Sequence, residues 1–151
     1  MSPRTLFRIF ANVEMVTWAG LIVALVLRAT GVTAAAVPIA GGVHGFVFLA
    51  YCVSTVLVWV NQRWRARLGI VSLVISAVPF ATVPLEIAIN KRGLLSGPWR
   101  LAPGGDEPRG LIERALALVL RRPLVSMLVL IAVVIAVFFA LLYVGPPVSR
   151  D

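Results

Sequence analysis

A chain of 151 residues, 60% hydrophobic and 13% charged, with a mean hydropathy of +0.99, has too little polar surface to solvate a globular monomer. Fourteen Lys and Arg against six Asp and Glu leave a net charge of +8. These cations lie between and beside apolar segments, which argues for anionic headgroups and against nucleic acid as their partner.

In chain order, apolar segments occupy residues 6–27, 44–60, 68–89 and 124–144. The first, behind Arg4 and Arg8 and ahead of Ala34, Ala35 and Ala36, imitates a secretory signal. It is longer than a signal core and holds Glu14, so it reads as a retained helix. Residues 28–43, with Pro38, Gly41 and Gly42, read as an interfacial loop. The single cysteine, Cys52, excludes an intramolecular disulfide and reads as packing.

Arg63, Trp64, Arg65 and Arg67 make a short headgroup-level turn, so helices two and three form a tight hairpin. Pro79 and Pro84 predict a kink in helix three. Residues 91–106 are rich in Gly and Pro and read as a surface connection with little fixed structure. From 108 to 122, Leu111, Ile112, Ala115, Leu116 and Val119 share one helical face while Arg109, Glu113, Arg114 and Arg121 turn away. Such a helix, capped by Asp106 and ended by Pro123, belongs in the headgroup plane or else docks on a partner or on the bundle itself. Residues 124–144 follow as 21 residues without a charge, long enough to cross a bilayer.

The pattern predicts an all-α, polytopic membrane protein with four transmembrane helices and one interfacial amphipathic helix. Its parts are a three-helix domain (1–92), a connection with the amphipathic helix (93–123), and a last transmembrane helix with a short tail (124–151). With four spans, six cations fall on the side of the N-terminus and eight on the other. The flanks of the first helix and the dense Arg63–Arg67 turn nevertheless put the N-terminus in the cytoplasm and the third connection outside.

Ionisable groups at membrane depth are costly and therefore candidates for function; here they are Glu14, His44 and Glu86. If the second hairpin turns near residue 65, His44 and Glu86 are equidistant from the turn and should sit side by side. A carboxylate there would hold the imidazole charged or in one tautomer. Glu14 falls nearer the basic turn, where Arg63 can reach it, or else lines a polar pocket with Thr17 and Trp18. Pro79 and Thr82 flank a bend that frees backbone carbonyls near Glu86. On the last helix, Ala132, Ala136 and Ala140 form a small-residue stripe suited to close packing against another helix, in a protein partner or a second copy. One histidine without a nearby second ligand predicts no metal and no cofactor.

Leu6-Phe7-Arg8 with Glu14 and Trp18, the run from Gly42 to Phe48 around His44, the Trp64 turn, and Pro79-Phe80-Ala81-Thr82 followed by Glu86 resemble a family of small bacterial integral-membrane proteins, domain of unknown function 3817. The resemblance covers residues 5–92 and implies a three-helix membrane fold in which Ala81 stands where the family motif has glycine. It implies no activity. With neither a nucleophile nor a metal set, the expected function is that of a non-enzymatic accessory or scaffolding subunit in the bacterial plasma membrane. The alternative is a small oligomeric transporter or proton-coupled carrier.

Overall fold

A computed structural model describes residues 1–144, among which there are six helices and no strand. Helix α1, Pro3–Ala29, starts with Pro3 in its first turn, where a missing N–H costs nothing, and with the Ser2 hydroxyl accepting from the Thr5 amide at 3.1 Å. It ends where Gly31 takes φ +76, a left-handed conformation that closes the last turn through Val32 N–H to Leu27 O.

Helix α2, Ala36–Gln62, begins eight residues before His44. The expected loop over residues 28–43 is therefore a short turn. Pro38 sits in the first helical turn, where no donor is needed, and the glycines are contact points: Leu21 lies against Gly41, and Phe138 against Gly42 and Gly45. Both α1 and α2 are long and apolar enough to cross a bilayer.

The third apolar segment does not make a continuous span. It divides into α3, Ala66–Ile75, and α4, Thr82–Lys91, each 10 residues and so about 15 Å long. Between them Phe80 takes φ +64, which breaks the helix outright, and Pro84 lies in the first turn of α4. The expected kink is thus a reversal. Helix α4 runs back along α1, with Thr82 Oγ1 donating to Ala11 O at 3.0 Å and Arg8 paired to Glu86.

This reversal returns the chain to the end of the bundle it left. The connection after α4 is pinned there: Trp64 Nε1 donates to Leu94 O at 2.8 Å, Gln62 Nε2 to Ser96 O at 3.2 Å, and Trp99 Nε1 to Met1 O at 2.8 Å. Leu95 and Leu101 are buried, so the expectation of little fixed structure fails because apolar side chains anchor this segment. The N-terminus, the Arg63–Arg67 turn and the third connection share one end, against the expectation that the connection lies opposite. Among the described residues every Lys and Arg except Arg28 falls at that end.

Helix α5, Gly110–Arg121, packs Leu116 and Ala117 on Leu57, Val60 and Leu101. Its N-cap is Arg109, and the Glu113 carboxylate accepts from the Arg109 amide at 2.6 Å. Asp106, the expected cap, is instead paired with Arg100 at 3.3 Å. Helix α6, Pro123–Val144, leans on α2 through Phe138, with Val134 buried. Ala132, Ala136 and Ala140 are exposed, so no helix among the described residues covers the stripe.

Two clusters hold the basic end together. Phe7, Tyr51 and Trp64 form the larger, with both ring pairs at 5.7 Å, joined by Val58, Ile89 and Leu95. The smaller is the α5 contact.

Candidate functional site

Glu14 projects from the middle of α1 and is fully buried against α2. Its neighbour is His44, whose Nδ1 lies 3.9 Å from Glu14 Oε2, too far for a hydrogen bond. Neither Glu14 carboxyl oxygen has a hydrogen-bond partner among the described residues. One turn on, the Thr17 hydroxyl bridges the site, bonded to Glu14 O at 3.0 Å and to His44 Nδ1 at 3.1 Å. A hydroxyl has one proton to give, so with that proton on the Glu14 carbonyl it accepts from Nδ1–H. Turned the other way, the hydroxyl donates to an unprotonated Nδ1, so it serves either tautomer of His44.

Trp18 closes the site. Its ring packs on His44 with centroids 4.4 Å apart, and its Nε1 donates to Ser76 O at 3.2 Å, at the end of α3 where the helix stops. The break between α3 and α4 therefore sits beside the Glu14–His44 pair, and the Trp18 indole satisfies one of the carbonyls the break frees. Tyr51 does the same one turn earlier, donating to Ser72 O at 3.4 Å.

The expected His44–Glu86 pair does not form. It required residues 68–89 to run as one straight helix beside α2, whereas the reversal carries Glu86 onto α1. There Arg8 Nε donates to Glu86 Oε1 at 3.1 Å, with the carboxylate buried and the Arg8 side chain 47% exposed. The expected Glu14–Arg63 bridge is likewise absent. Because α2 starts early, Glu14 lies opposite His44 and not near Val58, and Arg63 Nε sits 3.5 Å from Glu113. Glu14, Thr17 and Trp18 instead gather around His44. Pro79 lies exposed in the break, and Thr82 straps α4 to α1.

Asn61, Arg100 and Glu113 are a second polar centre that local pattern did not reveal. Asn61 Oδ1 accepts from the Arg100 amide at 2.8 Å, while the Arg100 guanidinium donates to Asn61 O at 3.0 Å and to Val60 O at 3.4 Å. A cation on the last carbonyls of α2 satisfies acceptors that have no partner within the helix and opposes its dipole. Arg100 also donates to Glu113 at 2.7 Å, tying α5 to the same point. The Arg109 amide, then the Arg100 guanidinium, hold the Glu113 carboxyl below the ordinary carboxylate range.

A depressed carboxyl contributes stability that is present at neutral pH and lost as pH falls through that lowered value. Acidification below the ordinary carboxylate range is therefore expected to loosen α5, read as lower protection of its backbone amides from hydrogen exchange relative to their intrinsic rates at that pH. Glu113→Gln should show the low protection already at neutral pH. Equal protection of both proteins at neutral pH would show that the carboxylate does not hold α5.

Among the described residues no three His, Cys, Asp or Glu gather as a metal set, and Cys52 is a half-buried free thiol. A family model described as "Domain of unknown function (DUF3817)" matches residues 4–91. The chain belongs to this family. The DUF3817 segment holds both members of each pair, Glu14 with His44 and Arg8 with Glu86, and all of α1 through α4 but the first residue of α1. A protein of Streptomyces coelicolor named "Putative membrane protein SCO5905" is 36% identical over 94 residues, 61% of this chain. The chain spans only about a tenth of that relative's length, 11%. No solved structure matches. The chain is accordingly a membrane protein of a family without an assigned activity, with two helices able to span a bilayer.

Proposed function

We propose that this DUF3817 chain is a multi-pass protein of the bacterial plasma membrane that serves as a non-enzymatic accessory module of a larger membrane assembly. In this reading α1, α2 and α6 cross the bilayer, α3 and α4 form a re-entrant hairpin, and α5 lies at the interface. The observation that carries it is the relative in which the matched stretch is 11% of a much longer chain. A domain that makes up a small part of a larger membrane protein is suited to pack against other membrane segments. Exposed apolar side chains along α6, such as Leu128 and Val129, leave surface for lipid or a partner helix.

The module reading is tested by mass measurement of the native protein extracted in mild detergent. A stable complex with a different, larger membrane protein is expected; a monomer or pure homo-oligomer contradicts it. Where the partner seats on the exposed alanine stripe, Ala136→Leu lowers the mass to that of the free chain, because small residues permit the close approach.

One observation favours the second reading, a small proton-coupled carrier: the Glu14 carboxylate is fully buried, unpartnered and beside an imidazole. Such a pair can accept a proton on one atom and release it from another. Purified protein in liposomes under a pH gradient should then move protons, and Glu14→Gln should not. Flux no greater than that of empty liposomes rejects this reading.

A further inference from the structure

Helix α5 has three faces, and the bundle accounts for only one. Leu116 and Ala117 pack inward. Leu111, Ile112 and Leu118 are 82%, 69% and 64% exposed, an unusually apolar surface for a helix facing water. Beside this stripe, Arg114 and Arg121 lie seven residues apart on one edge, and Arg122 follows at the junction with α6. These three arginines are exposed, and none forms an ion pair among the described residues.

We propose that α5 is a binding site for anionic phospholipid, with the Leu111, Ile112 and Leu118 face in the acyl boundary and Arg114, Arg121 and Arg122 on the phosphates. Two features select lipid over a protein partner. Apolar exposure resumes at the start of α6, where Leu124 and Val125 are 73% and 53% exposed, as on a surface that meets acyl chains. The charge at this end is one-sided, since every described cation but Arg28 lies there and the turn at Arg63 is held against α5 through Glu113. The three clustered cations attract phosphate, and the nearby stripe discriminates a lipid from a free anion. The inference rests on the membrane placement above but not on the module role or on proton movement.

The test uses the full chain, delipidated in mild detergent and titrated with phosphatidylglycerol, phosphatidylcholine or inorganic phosphate, with bound species counted by native mass spectrometry. Phosphatidylglycerol is expected to bind in preference to phosphatidylcholine, and millimolar-range phosphate is expected not to displace it. Changing Arg114, Arg121 and Arg122 to Gln should weaken phosphatidylglycerol binding by on the order of a hundred-fold, near the worth of three cations at a lipid surface. The corresponding Lys variant should retain most of it, and Arg28→Gln at the far end should change nothing. Equal retention of both lipids, indifference to the Gln changes, or an equal loss in Arg28→Gln would overturn the site. Full displacement by phosphate would overturn the lipid assignment and leave a simple anion site.

Discussion

Glu14→Leu is expected to make the protein more stable in detergent while removing whatever the carboxylate does. The Glu14 side chain is fully buried, and neither oxygen meets a donor among the described residues. A buried polar group left unsatisfied costs roughly 1–3 kcal/mol, and more when charged. Leucine has a similar volume, carries no such cost, and leaves the Thr17 bonds to His44 Nδ1 and to the Glu14 backbone carbonyl intact. A gain of about 1–3 kcal/mol in unfolding free energy follows. Thermal unfolding of the two purified proteins measures it. A less stable Leu variant would mean that the carboxylate is satisfied by a proton, water or cation, and that it contributes to holding α1 on α2.

Gly69→Ala, by contrast, should be strongly destabilising. A Cβ at this position would overlap the Trp59 indole, which lies flat on the Gly69 backbone where α3 packs on α2. Trp59 cannot simply withdraw, because its Nε1 donates to Trp64 O at 3.0 Å and its ring packs against the Phe7, Tyr51 and Trp64 cluster. Alanine gains about 0.5–1 kcal/mol of helix propensity over glycine. Overpacking costs about 1–3 kcal/mol, and the displaced hydrogen bond about 0.5–1.5 kcal/mol more. The clash outweighs the propensity, for a net loss of about 1–3 kcal/mol. Gly20→Ala is the control: nothing lies near its would-be Cβ, so propensity alone should leave that variant neutral or slightly more stable. Similar behaviour of the two variants would show that Trp59 does not sit on Gly69.

The sequence carried the extents of α1 and α6 because each is a long uncharged or nearly uncharged run, and their limits fall close to the expected 6–27 and 124–144. It singled out Glu14, His44 and Glu86 because an ionisable residue stands out in an apolar segment, and all three are buried. It did not carry their pairing. That depends on where helices begin and turn back, and the informative residues were ambiguous. Pro38, Gly41 and Gly42 look like breakers but sit in a first turn and at close contacts. Phe80, which reverses the chain by adopting a left-handed conformation, has no local signature at all. Arg100 reaches Asn61 across 39 positions, a contact that no helical spacing encodes. Four straight spans would split the cations eight against six. Once α4 returns along α1, the described cations other than Arg28 collect at one end, the asymmetry that the positive-inside bias describes.

That return is the central claim, and accessibility of single cysteines tests it most directly. Ala66→Cys, Pro103→Cys and Val32→Cys, each in a Cys52→Ser background, can be probed with a membrane-impermeant maleimide in whole cells and in inverted vesicles. Ala66 and Pro103 are exposed at the basic end, and Val32 is exposed at the other. The re-entrant arrangement predicts that positions 66 and 103 react only in inverted vesicles and position 32 only in whole cells. Positions 66 and 103 reacting from opposite faces would restore a third full span and contradict the fold described above.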